Sequence, residues 1–384
     1  MMRRVVLALA AATLALLVDG CGHDDPYAVG GPPPPNAPQT IGPLQQLTFD
    51  IDGDLAPTFL PGDSLLAFSW ILPGASDQDR CLAFYRLAAA RIRNLRCIGG
   101  DTRHDTTNVI LSSAESPGGR LAYVVQHGPP TFPLSAGALY IGNDSDTTGA
   151  VPVLSIPFSS DSFTPLTNIE QLNWKDEQTL VFLGVLMNPP LSYMESTPQV
   201  IDVLVLGSGA PVRTQVPNSL GATSVAIDPA DGQAYATFAN DSLVYAIDLT
   251  TGARTTVLNL AAFSVPRDIR VEGHRLVAVV QGRRFTMLLP SLAIIPVDEG
   301  GDLLWKDLTD SLPPTLITNA GIVRTPPASG GADRWFRHLI LSRDGKTLVA
   351  EGFPVAYRVK GGGTPPPLDT VVTKKSDLYL LRLP

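Results

Sequence analysis

The chain has 384 residues and a net charge of −8, from 28 Lys+Arg against 36 Asp+Glu, which argues against the basic footprint of a nucleic-acid binder. Its 34 glycines and 35 prolines are spread along the whole length, which excludes coiled coils and long helical repeats and points to a fold rich in turns. In chain order, Arg3-Arg4 is followed by an apolar run, Val5 to Val18, broken only by Thr13. That layout reads as a signal peptide, and the run is shorter than the roughly 20 residues needed to span a bilayer.

The run ends in Leu17-Val18-Asp19-Gly20-Cys21, which resembles the lipobox of bacterial lipoproteins, with Asp19 standing where a small or neutral residue is usual. The resemblance implies cleavage before Cys21, a diacylglyceryl thioether on its sulfur and an acylated new N-terminus. Gly22, in place of an aspartate, implies the outer membrane of a Gram-negative bacterium. An ordinary secretory signal with a chance cysteine is the alternative. Residues 1–20 are thus expected to be the signal peptide. Residues 21–43, with Gly30-Gly31, Pro32 to Pro35 and Pro38, are expected to be a disordered tether that cannot bury a core. His23-Asp24-Asp25 reads as solvated linker rather than a metal site, since nothing there fixes ligand geometry.

Residues 44–384 form the expected globular body. Asp50, Asp52 and Asp54 are its densest acidic set, but Leu55 and Pro61 stand where an EF-hand loop requires glycine and glutamate. They read as a solvated connection between repeats, or as a contact for a cation or ligand. With Cys21 lipidated, Cys81 and Cys97 remain, an even number in an oxidising compartment. Residues 81–87 and 91–97 read as two strands joined near Ala89. That hairpin sets 81 opposite 97, 83 opposite 95 and 85 opposite 93, so a Cys81–Cys97 disulfide is expected, two free buried thiols being the rival. Arg80, Arg86, Arg91, Arg93 and Arg96 make this hairpin basic, either a docking patch for an acidic partner or lipid headgroups, or a solvated outer edge.

One pattern then recurs six times: a short apolar strand, a turn rich in Pro, Asp and Gly, and a second apolar strand. The turn markers Gly62, Gly118, Asp176, Asp231, Gly273 and Asp344 are separated by 56, 58, 55, 42 and 71 residues. Each interval has room for a second hairpin, seen in 137–142, 200–205 and 243–252. Four strands per repeat, arranged radially, make an all-β six-bladed β-propeller. Leu341-Ser-Arg-Asp-Gly-Lys-Thr-Leu-Val and Glu115-Ser-Pro-Gly-Gly-Arg-Leu-Ala-Tyr resemble the repeats of TolB-like β-propellers, as does Gln46-Leu-Thr-Phe-Asp-Ile-Asp-Gly-Asp. Val244-Tyr-Ala-Ile-Asp-Leu-Thr-Thr-Gly is closer to the surface-layer type of propeller repeat, itself akin to WD repeats. Residues 377–383 read as the third strand of the last blade and Gln46–Phe49 as its fourth, so that the N-terminal strand pairs with the C-terminal one and closes the ring. The long last interval is expected to hold an irregular insertion around Asp310 to Asp333, and residues 361–367 a second exposed loop.

Catalytic motifs are scarce. There is no GxSxG and no HExxH, and Gly345-Lys346-Thr347 lacks the upstream glycine of a phosphate-binding loop, with Ile340 in its place. His23, His104, His127, His274 and His338 are widely spaced and read as surface or strand residues, so no metal site and no cofactor is expected. The TolB resemblance implies a protein-interaction role. The leading expectation is a lipid-anchored, monomeric, non-catalytic scaffold that binds an envelope protein. The alternative is a propeller enzyme, a metal-dependent lactonase or other sugar-acting hydrolase, with its site at the channel mouth. A pair of β-sandwiches is a third possibility for the fold.

Overall fold

The computed structural model describes residues 44–48, 54–60, 62–71, 80–89, 91–96, 108–127, 137–143, 146–156, 158–160, 163–186, 199–239, 241–263, 265–280, 284–288, 294–298, 301–318, 333–359, 368–372 and 376–383. It is a six-bladed β-propeller. The chain enters through β1 (Gln45–Gln46), and the first blade is the meander β2 (Asp54–Phe59), β3 (Leu65–Ile71), β4 (Arg80–Arg86) and β5 (Arg91–Arg96). The second blade is β6 (Asn108–Glu115), β7 (Arg120–His127), β8 (Gly137–Asn143) and β9 (Asp146–Ile156). The third adds a short strand, β10 (Phe158–Ser160), to β11 (Phe163–Asp176), β12 (Thr179–Leu186), β13 (Gln199–Val205) and β14 (Val212–Gln215). The fourth is β15 (Ala222–Asp228), β16 (Gln233–Phe238), β17 (Leu243–Ile247) and β18 (Arg254–Asn259).

In the fifth blade, β19 (Asp268–Glu272) and β20 (Arg275–Val280) are followed by a separate hairpin, β21 (Arg284–Leu288) with β22 (Ile294–Asp298). The blade then resumes with β23 (Asp302–Asp307) and β24 (Thr315–Leu316). Among the described residues the extra element of this long repeat is the 284–298 hairpin, and residues 315–316, inside the stretch expected to be an insertion, form the blade's outer strand; 319–332 lie outside the described residues. The sixth blade is β25 (Asp333–Leu341), β26 (Thr347–Val359) and β28 (Asp377–Arg382), with β27 (Leu368–Val372) on the far end of β26. Its last strand is β1, with Gln45 opposite Leu380 and Gln46 opposite Tyr379. The expected closure by the two ends of the chain is what the fold shows.

First strands of neighbouring blades touch in a closed ring, β2–β6–β11–β15–β19–β25 and back to β2, and so line the central channel. The apolar core falls into six clusters, each between two adjacent blades, from Leu60 and Phe84 against Leu121 and Tyr123, round to Val349 and Leu380 against Phe68 and Tyr85. A blade thus buries both faces. This is why its middle strands read as continuous apolar runs: Leu180–Leu183 in β12 and Leu276–Val280 in β20 are fully buried. Strand β18, on the outside, is mostly exposed. Five of the six inner strands carry a β-bulge, between Leu55 and Thr58, Ile110 and Ser112, Glu170 and Asn173, Ala222 and Ser224, and Arg337 and Ile340. Bulges re-aim side chains and increase local twist, as strands crowded round an axis require.

Halfway along, the channel is crossed by inter-blade hydrogen bonds. Ser224 Oγ donates to Gln171 Oε1 at 2.8 Å, Ile269 N donates to Ser224 Oγ at 2.9 Å, and Leu339 N donates to Asp268 Oδ2 at 3.0 Å. Blades 3, 4, 5 and 6 are tied in series by this belt.

Candidate functional site

Beyond the belt, toward the turns that join the first and second strands, the channel opens into a cavity of about 390 Å³. All six blades contribute to its wall. Two of its acids, Glu115 and Glu272, each end an inner strand; Asp176 and Asp228 hold the same position of the repeat in blades 3 and 4 but stand outside the lining. Asp63, from the first blade's turn, and Arg343, from the sixth, complete the mouth.

Arg343 is the cationic hub. Its Nη2 pairs with Glu115 Oε1 at 3.3 Å and donates to the carbonyls of Ser116 and Pro117 at 3.1 and 3.3 Å. Its backbone N–H donates to Asp63 Oδ2 at 3.0 Å, joining blade 6 to blade 1. The other lining arginine, Arg270, is turned to the wall, donating to the carbonyls of Leu339 at 2.7 Å and Ile269 at 3.1 Å. Asp228 is buried and spent on its own turn and the next blade: its oxygens accept from the N–H groups of Ala230 in blade 4 and of Gly273 and His274 in blade 5.

Two carboxylate oxygens are left over. Asp63 Oδ1 and Glu272 Oε2 are buried and have no hydrogen-bond partner among the described residues. Burial pushes the Glu272 carboxyl up to about 9, reinforced by Asp228 and then Asp63 and only partly opposed by Arg343 and Arg270. Burial also raises Asp63, against the backbone hydrogen bond from Arg343. A protonated Glu272 next to a charged rim can give a proton near neutral pH, or ionise when a cation arrives. None of the described lining residues is histidine or cysteine, so they hold no Ser–His or Cys–His pair.

None of the site residues singled out from the sequence is among the described lining of the cavity. Asp54 opens β2, its side chain outside the described residues, as are Asp50 and Asp52 altogether. Register in the β4–β5 hairpin sets Ala83 opposite Leu95 as expected, but a bulge then places Tyr85 opposite Ile92 rather than Arg93. Cys97 and the Cys81 side chain lie outside the described residues, as do Cys21, the leader, the tether and residues 361–367. Arg86 is exposed at the end of β4, facing Arg91 on the outer strand β5. Arg80, Arg91, Arg93 and Arg96 are described in backbone only. Sequence reading passed over Asp63, Glu272 and Arg343 because each sits beside a turn marker and looks like turn chemistry. The available signal was the repeat phase, an acid at the last inner-strand position of four blades.

No family model matches the chain, and no curated protein matches it. Among solved structures, a gluconolactonase from Xanthomonas campestris is similar at a TM-score of 0.51 and 12% identity, over 93% of this chain and 97% of its own. The calcium-binding protein regucalcin from Agrobacterium tumefaciens is similar at 0.48 and 11%, over 88% and 92%. A putative TolB from the same organism is similar at 0.43 and 12%, over 69% and 80%. At 12% identity the gluconolactonase likeness speaks to architecture and leaves chemistry to the site, and the strand order and the closed ring of inner strands make this chain a six-bladed β-propeller.

Proposed function

We propose that this protein is a lipid-anchored propeller of the cell envelope that acts by binding, and that its channel mouth takes a cationic group of a partner protein, a lysine or arginine side chain or an amino terminus. The observation that carries the reading is the pair of buried, unpartnered oxygens, Asp63 Oδ1 and Glu272 Oε2, in one open cavity. A buried acceptor left without a donor costs about 1–3 kcal/mol. An incoming ammonium or guanidinium supplies the donors and favours ionised Glu272. A rigid ring with an acidic socket suits a scaffold, because the socket is preorganised by the inter-blade bonds around it. The anchor rests on the Leu17–Cys21 segment and the proline-rich stretch after it.

Titrating the full-length protein with a tetralysine peptide, with tetraglutamate as control, tests the socket. Binding should weaken by about tenfold or more, at least 1.4 kcal/mol, in the double variant Asp63→Asn, Glu272→Gln. Equal binding by variant and wild type would remove the cavity from the proposal. Cys21→Ala should shift the protein from the membrane to the soluble fraction.

A second reading, a lactone- or sugar-acting hydrolase, is favoured by one feature: a carboxyl pushed to about 9 keeps its proton at neutral pH and can serve as a general acid. Turnover of a lactone panel that disappears in Glu272→Gln would favour it over the scaffold.

A further inference from the structure

On the same end of the ring, blades 4 and 5 bring a second group of side chains together. Asp228 ends β15, Asp231 lies in the turn to β16, and His274 lies in the turn between β19 and β20. One ligand atom from each falls within 4.8 Å of the other two. None of the three lines the channel cavity, whose wall is made by their neighbours Pro229, Ala230 and Gly273. His274 Nδ1 is 3.3 Å from Asp228 Oδ2 and 3.9 Å from Asp231 Oδ2. Nitrogen and oxygen ligands held about 2.0–2.2 Å from one tetrahedral ion lie roughly 3.3–3.6 Å apart. The two spacings to the imidazole are therefore those of a shared ion's ligands to within a few tenths of an ångström, and the two carboxylates lie within 4.8 Å of each other.

Each ligand is also held from behind. Asp228 is fully buried, and its Oδ1 accepts from Ala230 N and Gly273 N, both at 3.0 Å, while Oδ2 accepts from His274 N at 2.7 Å. Asp231 Oδ1 accepts from Gln233 N at 2.9 Å, while its Oδ2 is the oxygen toward the imidazole. His274 takes a φ of 63°, in the left-handed region where histidine, like Asn and Asp, is several-fold enriched over other side chains. Gly273 before it has a φ of 55°, so the pair forms the two-residue turn between β19 and β20, which fixes where His274 stands. The His274 and Asp231 side chains are 42% and 44% exposed, so an ion can reach them from solvent.

We propose that Asp228, Asp231 and His274 form a site for a first-row divalent transition ion such as Zn²⁺, with water completing its shell, which staples blade 4 to blade 5. The imidazole selects this class, since Ca²⁺ and Mg²⁺ take all-oxygen shells. This site does not depend on the cation socket of the channel mouth and shares no ligand with it.

The test is calorimetric titration of the full-length, chelator-stripped protein with ZnCl₂, read beside thermal melts with and without Zn²⁺. One Zn²⁺ per chain is expected, with a higher Tm in its presence because the ion binds only the folded arrangement. His274→Gly and Asp231→Asn should each weaken binding by about tenfold or more and abolish the Tm rise. Both variants suit the fold: glycine accepts the φ of 63°, and asparagine keeps an acceptor for Gln233 N. The absence of saturable Zn²⁺ binding, or binding unchanged in both variants, overturns the proposal. So does binding that survives them and vanishes in His23→Ala, which would place the ion in the N-terminal segment, and so does CaCl₂ acting as strongly as ZnCl₂.

Discussion

Two buried glutamates sit in opposite electrostatic settings, and the contrast is measurable. Glu272, whose Oε2 has no hydrogen-bond partner among the described residues, stands at about 9 because burial and the neighbouring acids disfavour its charge. The folded state then holds a proton that the unfolded chain releases above its ordinary value of 4.5. Its contribution to stability is complete below about 4.5 and is lost as pH climbs toward 9. Glu272→Gln should match wild type in urea melts near pH 4.5 and exceed it near pH 9; a variant weaker than wild type at pH 9 would contradict this setting. Glu351, fully buried on β26, is pushed up by burial, but Arg337 and then His338 on β25 more than reverse this and hold it at about 2. Its contribution is present above 4.5 and lost as pH falls toward 2. Glu351→Gln should cost about 1–3 kcal/mol at pH 7, and the difference from wild type should close in acid. At this scale the sequence is least informative. The acids that end the inner strands are visible as residues, but which of them go unpartnered depends on donors from other blades.

Single strands tell a different story. Hairpins are legible because Asp and Gly accept the positive φ of tight turns, as Gly345 does at 63°, and because middle strands are apolar throughout. Copies without the Pro-Asp-Gly core, β11–β12 and β19–β20, still formed, since apolar strands on each side of a short polar turn suffice. What misled was the fifth blade. The hairpin of Phe285–Leu288 against Ile294–Val297 is apolar and reads like any blade strand, and of the insertion expected around 310–333 only Thr315–Leu316 is seen as strand, 319–332 lying outside the described residues. Blade 3 supplies a test of packing inside one element. Arg213 on β14 and Asp202 on β13 form a fully buried ion pair at 2.9 Å. The space for it comes from Gly184 on β12, where a Cβ would stand 2.3 Å from Asp202 Oδ2. Arg213→Met should destabilise by about 3–5 kcal/mol in denaturant titration, because it strands a buried carboxylate. Gly184→Ala should also destabilise, since the carboxylate and Leu166 would both have to move.

The whole molecule depends on one short seam. Leu44 is buried against blades 5 and 6, Leu47 packs with blades 1 and 6, and Leu378 N donates to Thr48 Oγ1 at 2.9 Å. Tyr85 of blade 1 reaches across to donate to the Leu47 carbonyl at 3.1 Å. Leu44→Ala should cost about 2–5 kcal/mol. Removing residues 1–48 should lower Tm further and raise light scattering, because β28 then presents an open edge. A truncated chain as stable and monodisperse as the intact one would show that the seam is dispensable.

The number of blades, the phase of the hairpins and the joining of the two ends could be read from the sequence, because each follows from local turn chemistry, apolar runs and the count of strands left over. Three things were decided only in three dimensions: the bulges that re-aim the inner strands, the cavity where Asp63, Glu115, Glu272 and Arg343 meet, and the partnership of Asp228 with His274, 46 residues further on. Each arises between blades, where side chains distant in sequence are brought within hydrogen-bonding distance by closure of the ring, and no local pattern encodes that distance.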